Sequence, residues 1–244
     1  SQNVIFESSM PEWLPAESLV SKAVSLLRET TGCSKGAAIE VSKRIPLLAG
    51  LGGDSSDAAA ILRGLNKLWE LDLSPEKLVE LAAQLGSDVA FFLYAGTALV
   101  KGRGELVTPL PPLPHMWVIL VVPSIPKMPG KTKQLYNSLT ASHYTDGQIT
   151  KKLVEGLKAG REFIPSLLFN TFENVAFTQF SELGVYREHI VKVGITDVHL
   201  AGSGPALFTL IKDKAEAEDL HVRLQQQRLE CYLTETLATI EKDQ

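Results

Sequence analysis

Residues 46–60 read P-L-L-A-G-L-G-G-D-S-S-D-A-A-A, and this stretch limits the fold more than any other. Gly50, Gly52 and Gly53 fall within four positions, and glycine enters positive φ without steric cost and lets a ligand approach the backbone. Downstream, Ala58, Ile61, Leu62, Leu65, Leu68 and Trp69 recur at a spacing that predicts one apolar helix face. Upstream, Ile39, Val41 and Ile45 alternate with Glu40, Ser42 and Arg44, which predicts a half-buried strand over 37–45. Strand, glycine turn and helix N-terminus in succession present unpaired N–H groups at a positive dipole end, which suits phosphate. A tight turn with a serine N-cap explains the same residues equally well. The loop is not a P-loop, because no Gly-Lys-Ser/Thr follows. Nor is it a dinucleotide fingerprint, because G-x-G-G lacks the third glycine and the later acid.

The 244 residues suffice for one large or two modest domains with a substantial core. A formal net charge of -4 supplies no global basic field for nucleic acid. Cys33 and Cys231 are too few for a disulfide scaffold and fit buried thiols in a reducing, cytoplasmic compartment. No apolar run reaches the length of a membrane span, residues 117–123 suit a buried strand, and no signal-peptide pattern is visible. The expectation is a cytoplasmic monomer or weak homodimer that binds neither nucleic acid nor membrane.

Elsewhere the patterns predict a strand at 4–6 and a helix at 16–30 stopped by Gly32. After the glycine loop come a helix at 56–70 and another opened by Ser74, Pro75 and Glu76 that stops at Gly86. Asp88 then precedes the apolar run 89–93, and a hairpin turns around Gly102, Arg103 and Gly104. Four prolines in 109–114 mark a linker, dividing the chain into domains 1–112 and 113–244. The second half predicts strands at 117–122, 198–200, 206–211 and 231–239, with helices at 131–139, 148–158, 171–180, 185–193 and 214–226. Gly202-Ser203-Gly204 forms a second glycine turn.

Taken singly, Asp88 reads as a helix cap and the 202–204 turn as a plain loop. Taken together with the loop they resemble the GHMP small-molecule kinases. P-x-x-x-G-L-G-G-x-S-S-D-A-A is similar to that family's second motif, and Leu200-Ala201-Gly202-Ser203-Gly204-Pro205-Ala206 to its third. Further stretches resemble the branch that phosphorylates a cytidine-diphosphate-linked methylerythritol. These are Lys43-Arg44-Ile45-Pro46, Leu65-Asn66, Leu68-Trp69, Leu85-Gly86-Ser87-Asp88-Val89, Phe91-Phe92, Gly96-Thr97-Ala98, Gly102-Arg103-Gly104-Glu105 and Asn170-Thr171-Phe172-Glu173. The resemblance runs from about residue 16 to about residue 224.

It implies an α+β, two-domain fold: an N-terminal, ATP-binding half like ribosomal protein S5 domain 2, and a ferredoxin-like C-terminal half. It implies phosphoryl transfer from ATP, with Mg²⁺, to a hydroxyl of the diphosphocytidyl substrate in non-mevalonate isoprenoid (terpenoid) biosynthesis, in a cleft between the halves. Pro46, Ala49, Gly50, Leu51, Gly52, Gly53, Asp54, Ser55 and Ser56 would form the ATP loop, with Ser55 toward the metal. Asp88 matches the catalytic acid position and would orient the acceptor hydroxyl. Gly202, Ser203 and Gly204 would close the phosphate site, and Phe169 is a candidate for stacking on the cytosine. A homoserine or mevalonate type of kinase shares the fold and the ATP chemistry.

Two departures matter. The family pattern opens with a Pro-Ala-Lys-Ile-Asn-Leu strand, which carries its catalytic lysine, and an Asp-Gly-Tyr-His turn, and neither occurs in these residues. Ser1 therefore corresponds to a point roughly fifty residues into the pattern. That raises a third reading, a truncated, catalytically incompetent nucleotide-binding module. Asp54 stands where glycine is usual; its carboxylate repels phosphate unless it turns away or meets the metal, and the expectation is that it points into solvent.

Overall fold

A computed structural model describes residues 2–8, 10, 13, 15–126 and 130–238. They form two compact units. The first holds the described residues up to Pro46 and from Gly52 to Pro109; the second holds Leu47–Leu51 and Leu110–Ala238.

In the first unit, β1 (Val4–Ser8) pairs in parallel with β2 (Ala37–Val41), from Val4 opposite Ala37 to Ser8 opposite Val41. Parallel neighbours need a crossover, supplied here by α1 (Leu19–Thr31). Ser18 caps α1 by accepting from the Ser21 N–H at 3.2 Å, and Gly32 ends it at φ +69°. β2 stops at Val41, level with the end of β1, so Ile45 lies beyond the ladder and is 40 % exposed. The strand expected over 37–45 is therefore shorter.

Helix α2 (Gly53–Leu68) starts three residues before the expected Ser56, because Gly52 adopts φ +70° and turns the chain into the helix early. It buries Ala58, Ala59, Leu62 and Leu65. Leu68, expected on the buried face, is 63 % exposed, whereas Trp69 is 2 % exposed. The helix ends between them, and the Trp69 indole N–H donates to the Gly36 carbonyl at 3.0 Å. Helices α3 (Pro75–Leu85) and α4 (Val89–Tyr94) and the antiparallel pair β3 (Ala98–Lys101) and β4 (Leu106–Pro109) complete the unit. Its core joins Leu27, Leu62, Leu81, Val89 and Trp69, each contributing about 1.5–3 kcal/mol by burial.

In the second unit, β5 (Trp117–Val121), β6 (His199–Leu200), β7 (Leu207–Ile211) and β8 (Cys231–Glu235) form one antiparallel sheet in the order β6-β7-β5-β8. With α5 (Lys131–Ser138), α6 (Gln148–Lys158), α7 (Glu173–Gln179) and α8 (Ser181–Lys192) between β5 and β6, and α9 (Lys214–Gln226) between β7 and β8, the order is that of a ferredoxin-like unit. β7 alternates strictly, burying Leu207, Thr209 and Ile211. β8 ends at Glu235, short of the expected 239, and Thr239 lies outside the described residues. The arm Leu47–Leu51 packs here: Ala49 clusters with Val122 and Ala206, and the Ala206 N–H donates to the Ala49 carbonyl at 3.1 Å. Among the described residues, no helix is long and apolar enough to cross a membrane.

Candidate active site

The glycine loop has two halves. In the second unit, Gly50 (φ +79°) touches the 202–204 turn so closely that a Cβ would overlap the Ala201 carbonyl and sit 2.8 Å from the Gly204 nitrogen. Gly202 (φ +53°) returns the contact, its hypothetical Cβ falling 2.9 Å from the Gly50 carbonyl oxygen. The structure thus brings Ala49, Gly50 and Leu51 together with Gly202, Ser203 and Gly204, two stretches far apart in sequence.

The other half belongs to the first unit. Gly52 occupies the N-cap of α2 with no side-chain capping bond among the described residues, so the serine-cap reading fails. Ser56 instead donates its hydroxyl to the Gly53 carbonyl at 2.8 Å, and the Ser55 hydroxyl has no partner among the described residues. The first-turn amides of α2 are left without side-chain acceptors, which is the condition for binding an anion.

Asp54 does not simply face solvent. It and Asp57 both pair with Lys43, the latter at 2.5 Å, and the Lys43 side chain is 4 % exposed. Burial pulls the Lys43 pKa down, but hydrogen bonds to the Asp54 and Asp57 carboxylates outweigh it and the net shift is upward. Lys43 stays charged and neutralises the carboxylate that stands where glycine was expected. Only tertiary contact shows this, because the residues lie on different elements.

Asp88 occupies the N-cap position of α4, is exposed, and makes no side-chain capping bond among the described residues. Its carboxylate is not engaged by the helix it precedes. Two glycines fix its surroundings. A Cβ at Gly104 would overlap the Ser87 carbonyl, so the β3–β4 turn lies directly on the residue before Asp88. A Cβ at Gly52 would lie 2.7 Å from the Phe92 ring, so α4 packs on the start of α2.

Asn170, Glu173 and Lys131 make contacts that the sequence reading did not assign. Asn170 donates to the carbonyls of Leu200 at 2.8 Å and Gly202 at 2.7 Å, while Glu173 accepts from the Leu200 N–H at 2.8 Å. The Asn-Thr-Phe-Glu stretch therefore clamps the second glycine turn, a role its pattern alone does not disclose. Lys131, buried at the start of α5, donates to the carbonyls of Leu48 (3.4 Å) and Gly204. Phe169 lines an open cavity of about 540 Å³ with Tyr136, Tyr144, Phe172 and His199. Tyr136 and Phe172 meet edge to face at 4.9 Å, and His199 Nε2 is buried without a partner among the described residues.

The model of the GHMP kinases N terminal domain matches residues 18–96, and that of the GHMP kinases C terminal matches residues 153–230. A Dehalococcoides mccartyi protein, 4-diphosphocytidyl-2-C-methyl-D-erythritol kinase, is 47% identical over 241 residues, covering 99% of this chain and 84% of the relative. The chain belongs to the GHMP kinase family. Its sequence likeness is to the 4-diphosphocytidyl-2-C-methyl-D-erythritol kinases within that family. A crystal structure of 4-(cytidine 5'-diphospho)-2C-methyl-D-erythritol kinase superposes with a TM-score of 0.77 at 30% identity, covering 96% of this chain and 82% of that one. A homoserine kinase from Cytophaga hutchinsonii aligns at 0.70 with 18% identity over 97% and 82%, a likeness of fold alone. The two-domain α+β GHMP kinase fold expected from the motifs is the one found.

Proposed function

We propose that this GHMP kinase transfers the terminal phosphoryl group of ATP to a hydroxyl of 4-diphosphocytidyl-2-C-methyl-D-erythritol, a step of isoprenoid precursor biosynthesis. The identity to relatives of that name supports the acceptor. The observation that carries the chemistry is the first turn of α2, which has no side-chain cap among the described residues, with Asp88, likewise without a side-chain capping bond among them, at the head of the helix packed against it. The amides of Gly53, Asp54 and Ser55 receive phosphate oxygens, and glycine at 50, 52 and 53 lets the protein close around the loop, since a Cβ there would meet the Ala201 and Gly204 backbone, the Phe92 ring and Ile45 respectively. Lys43 cancels the repulsion of Asp54 and Asp57. Asp88 accepts the hydrogen bond of the acceptor hydroxyl and orients it; in a loose transition state positioning outweighs proton abstraction. The Ser55 hydroxyl, a hard oxygen donor, fits Mg²⁺, which when bound neutralises charge on the phosphates. Phe169 and its aromatic neighbours suit a pyrimidine ring, and the unpaired His199 Nε2 is a group that a polar ring edge satisfies. Residues 1–112 then act as the ATP-binding domain, and the protein works in the cytoplasm on a small molecule.

The test is phosphoryl transfer by the full-length protein with Mg-ATP, offering the diphosphocytidyl substrate, homoserine and mevalonate separately. Phosphorylation of the first alone is expected, and preference for either other acceptor refutes the reading. Asp88→Ala should lower turnover by about 10²–10⁴-fold while ATP still binds; near-normal turnover removes Asp88 from its role.

A further inference from the structure

The two lysines beside the glycine loop are held differently. Lys43 is met by two carboxylates. Lys131 is 9 % exposed, and its described partners are both backbone carbonyls, those of Leu48 and Gly204. An ammonium withdrawn from water, with no counter-charge among the described residues, is a costly way to tie two carbonyls together. A neutral donor makes the same bonds more cheaply, so the charge itself needs a reason.

The neighbouring backbone supplies one. Leu48 sits at φ +59°, in the left-handed region that a branched side chain avoids, and its own side chain is exposed. Such strain persists where surrounding bonds over-determine it. Leu48 is followed directly by Ala49, Gly50 and Leu51, and Gly50 is in backbone contact with Gly204. Next to Lys131, Thr132 shares a hydrogen bond of 2.9 Å with Ser203. The start of α5 therefore grips both strands of chain that form the second-unit half of the loop.

We infer that Lys131 is a positioning residue of the phosphate loop: through the Leu48 and Gly204 carbonyls it holds the Leu47–Leu51 arm in the strained shape that receives a nucleotide's phosphates, and its charge favours their binding. The inference rests on the kinase reading above. Burial also pushes the Lys131 pKa down to about 8, the mark of a desolvated cation that gains when an anion arrives.

The experiment compares full-length wild type, Lys131→Met and Lys131→Arg with Mg-ATP and the diphosphocytidyl acceptor. The expected result for Lys131→Met is a KM for ATP raised ~10-fold, the loss of about one charge-assisted hydrogen bond, with the acceptor KM within about two-fold. Lys131→Arg, which keeps the charge, should recover part of the ATP affinity. An unchanged KM for ATP, or losses in both KM values that merely track a lowered melting temperature, overturns the inference. Should Lys131→Met fail to fold, wild-type protein still decides: acylation of Lys131 by an amine-directed reagent should slow when Mg-ATP is added, and equal labelling with and without nucleotide overturns the inference. Inactivity of the wild type toward all acceptors would instead sink the kinase reading, and the labelling comparison remains readable.

Discussion

Replacing Gly50 with alanine probes the contact on which the loop depends. Gly50 holds φ +79°, and an added Cβ would overlap the Ala201 carbonyl and sit 2.8 Å and 2.9 Å from the nitrogen and oxygen of Gly204. All three are backbone atoms, so no rotamer change relieves the clash. The left-handed conformation costs an alanine about 1–2 kcal/mol, and overpacking against rigid neighbours adds about 1–3 kcal/mol. The expected destabilisation is about 3 kcal/mol, or roughly 10 °C in melting temperature at this chain length. Gly147→Ala is the control, because Gly147 has the same φ of +79° with nothing within 4 Å of the hypothetical Cβ. It should lose only the conformational part, about 1–2 kcal/mol. Thermal melts compare the variants, and hydrogen exchange of the β7 amides localises the loss to the second unit. Nucleotide titration should show weakened ATP binding for Gly50→Ala alone. Equal losses in the two variants would refute the argument, since the excess is assigned wholly to the packed backbone of Ala201 and Gly204.

Three further outcomes are expected. Lys43→Met leaves Asp54 and Asp57 without their cation and should weaken ATP binding ~10-fold, by about 1.4 kcal/mol; adding Asp54→Asn should restore part of it, and calorimetry showing no recovery would contradict the neutralising role. Asn170→Ala removes both donors from the Leu200 and Gly202 carbonyls and should cost about 1–3 kcal/mol, read by denaturant titration, with a change below a few tenths counting against the clamp. For Lys131, the folded state releases its proton near pH 8 and the unfolded chain near 10.5, so between those values the unfolded state binds more protons and stability rises with pH. Relative to Lys131→Met, wild type should gain about 1 kcal/mol from pH 7 to 9; a flat or falling difference removes the desolvated ammonium.

Local rules carried the element order well where each signal was self-contained. Ser74 and Pro75 start α3, and Gly86 ends it, because caps act within one turn. The 214–226 helix and the strands at 117 and 206 follow from periodicity alone. Errors gathered where a partner decides the end of an element. Ile45 extends an alternating pattern past Val41, but the ladder with β1 among the described residues ends where Ser8 meets Val41. Leu68 continues the apolar stripe of α2, yet the indole bond of Trp69 to Gly36 turns the chain and leaves Leu68 outside.

The candidate site divides the same way. The order of its glycines, the place of Asp88 ahead of an apolar run and the family resemblance are one-dimensional facts, because helix starts and motif spacing are properties of neighbours in the chain; that the Asp88 carboxylate makes no capping bond among the described residues is seen only in the structure. Lys43 as counter-charge to Asp54, Asn170 as clamp on the second glycine turn, and Lys131 between Leu48 and Gly204 are not. Each joins groups from separate elements, and a hydrogen bond or ion pair acts only over the few ångströms that folding alone sets. The sequence by itself determined that a glycine loop would meet a helix N-terminus here; the tertiary structure decided which distant residues hold that loop in shape and balance its charge.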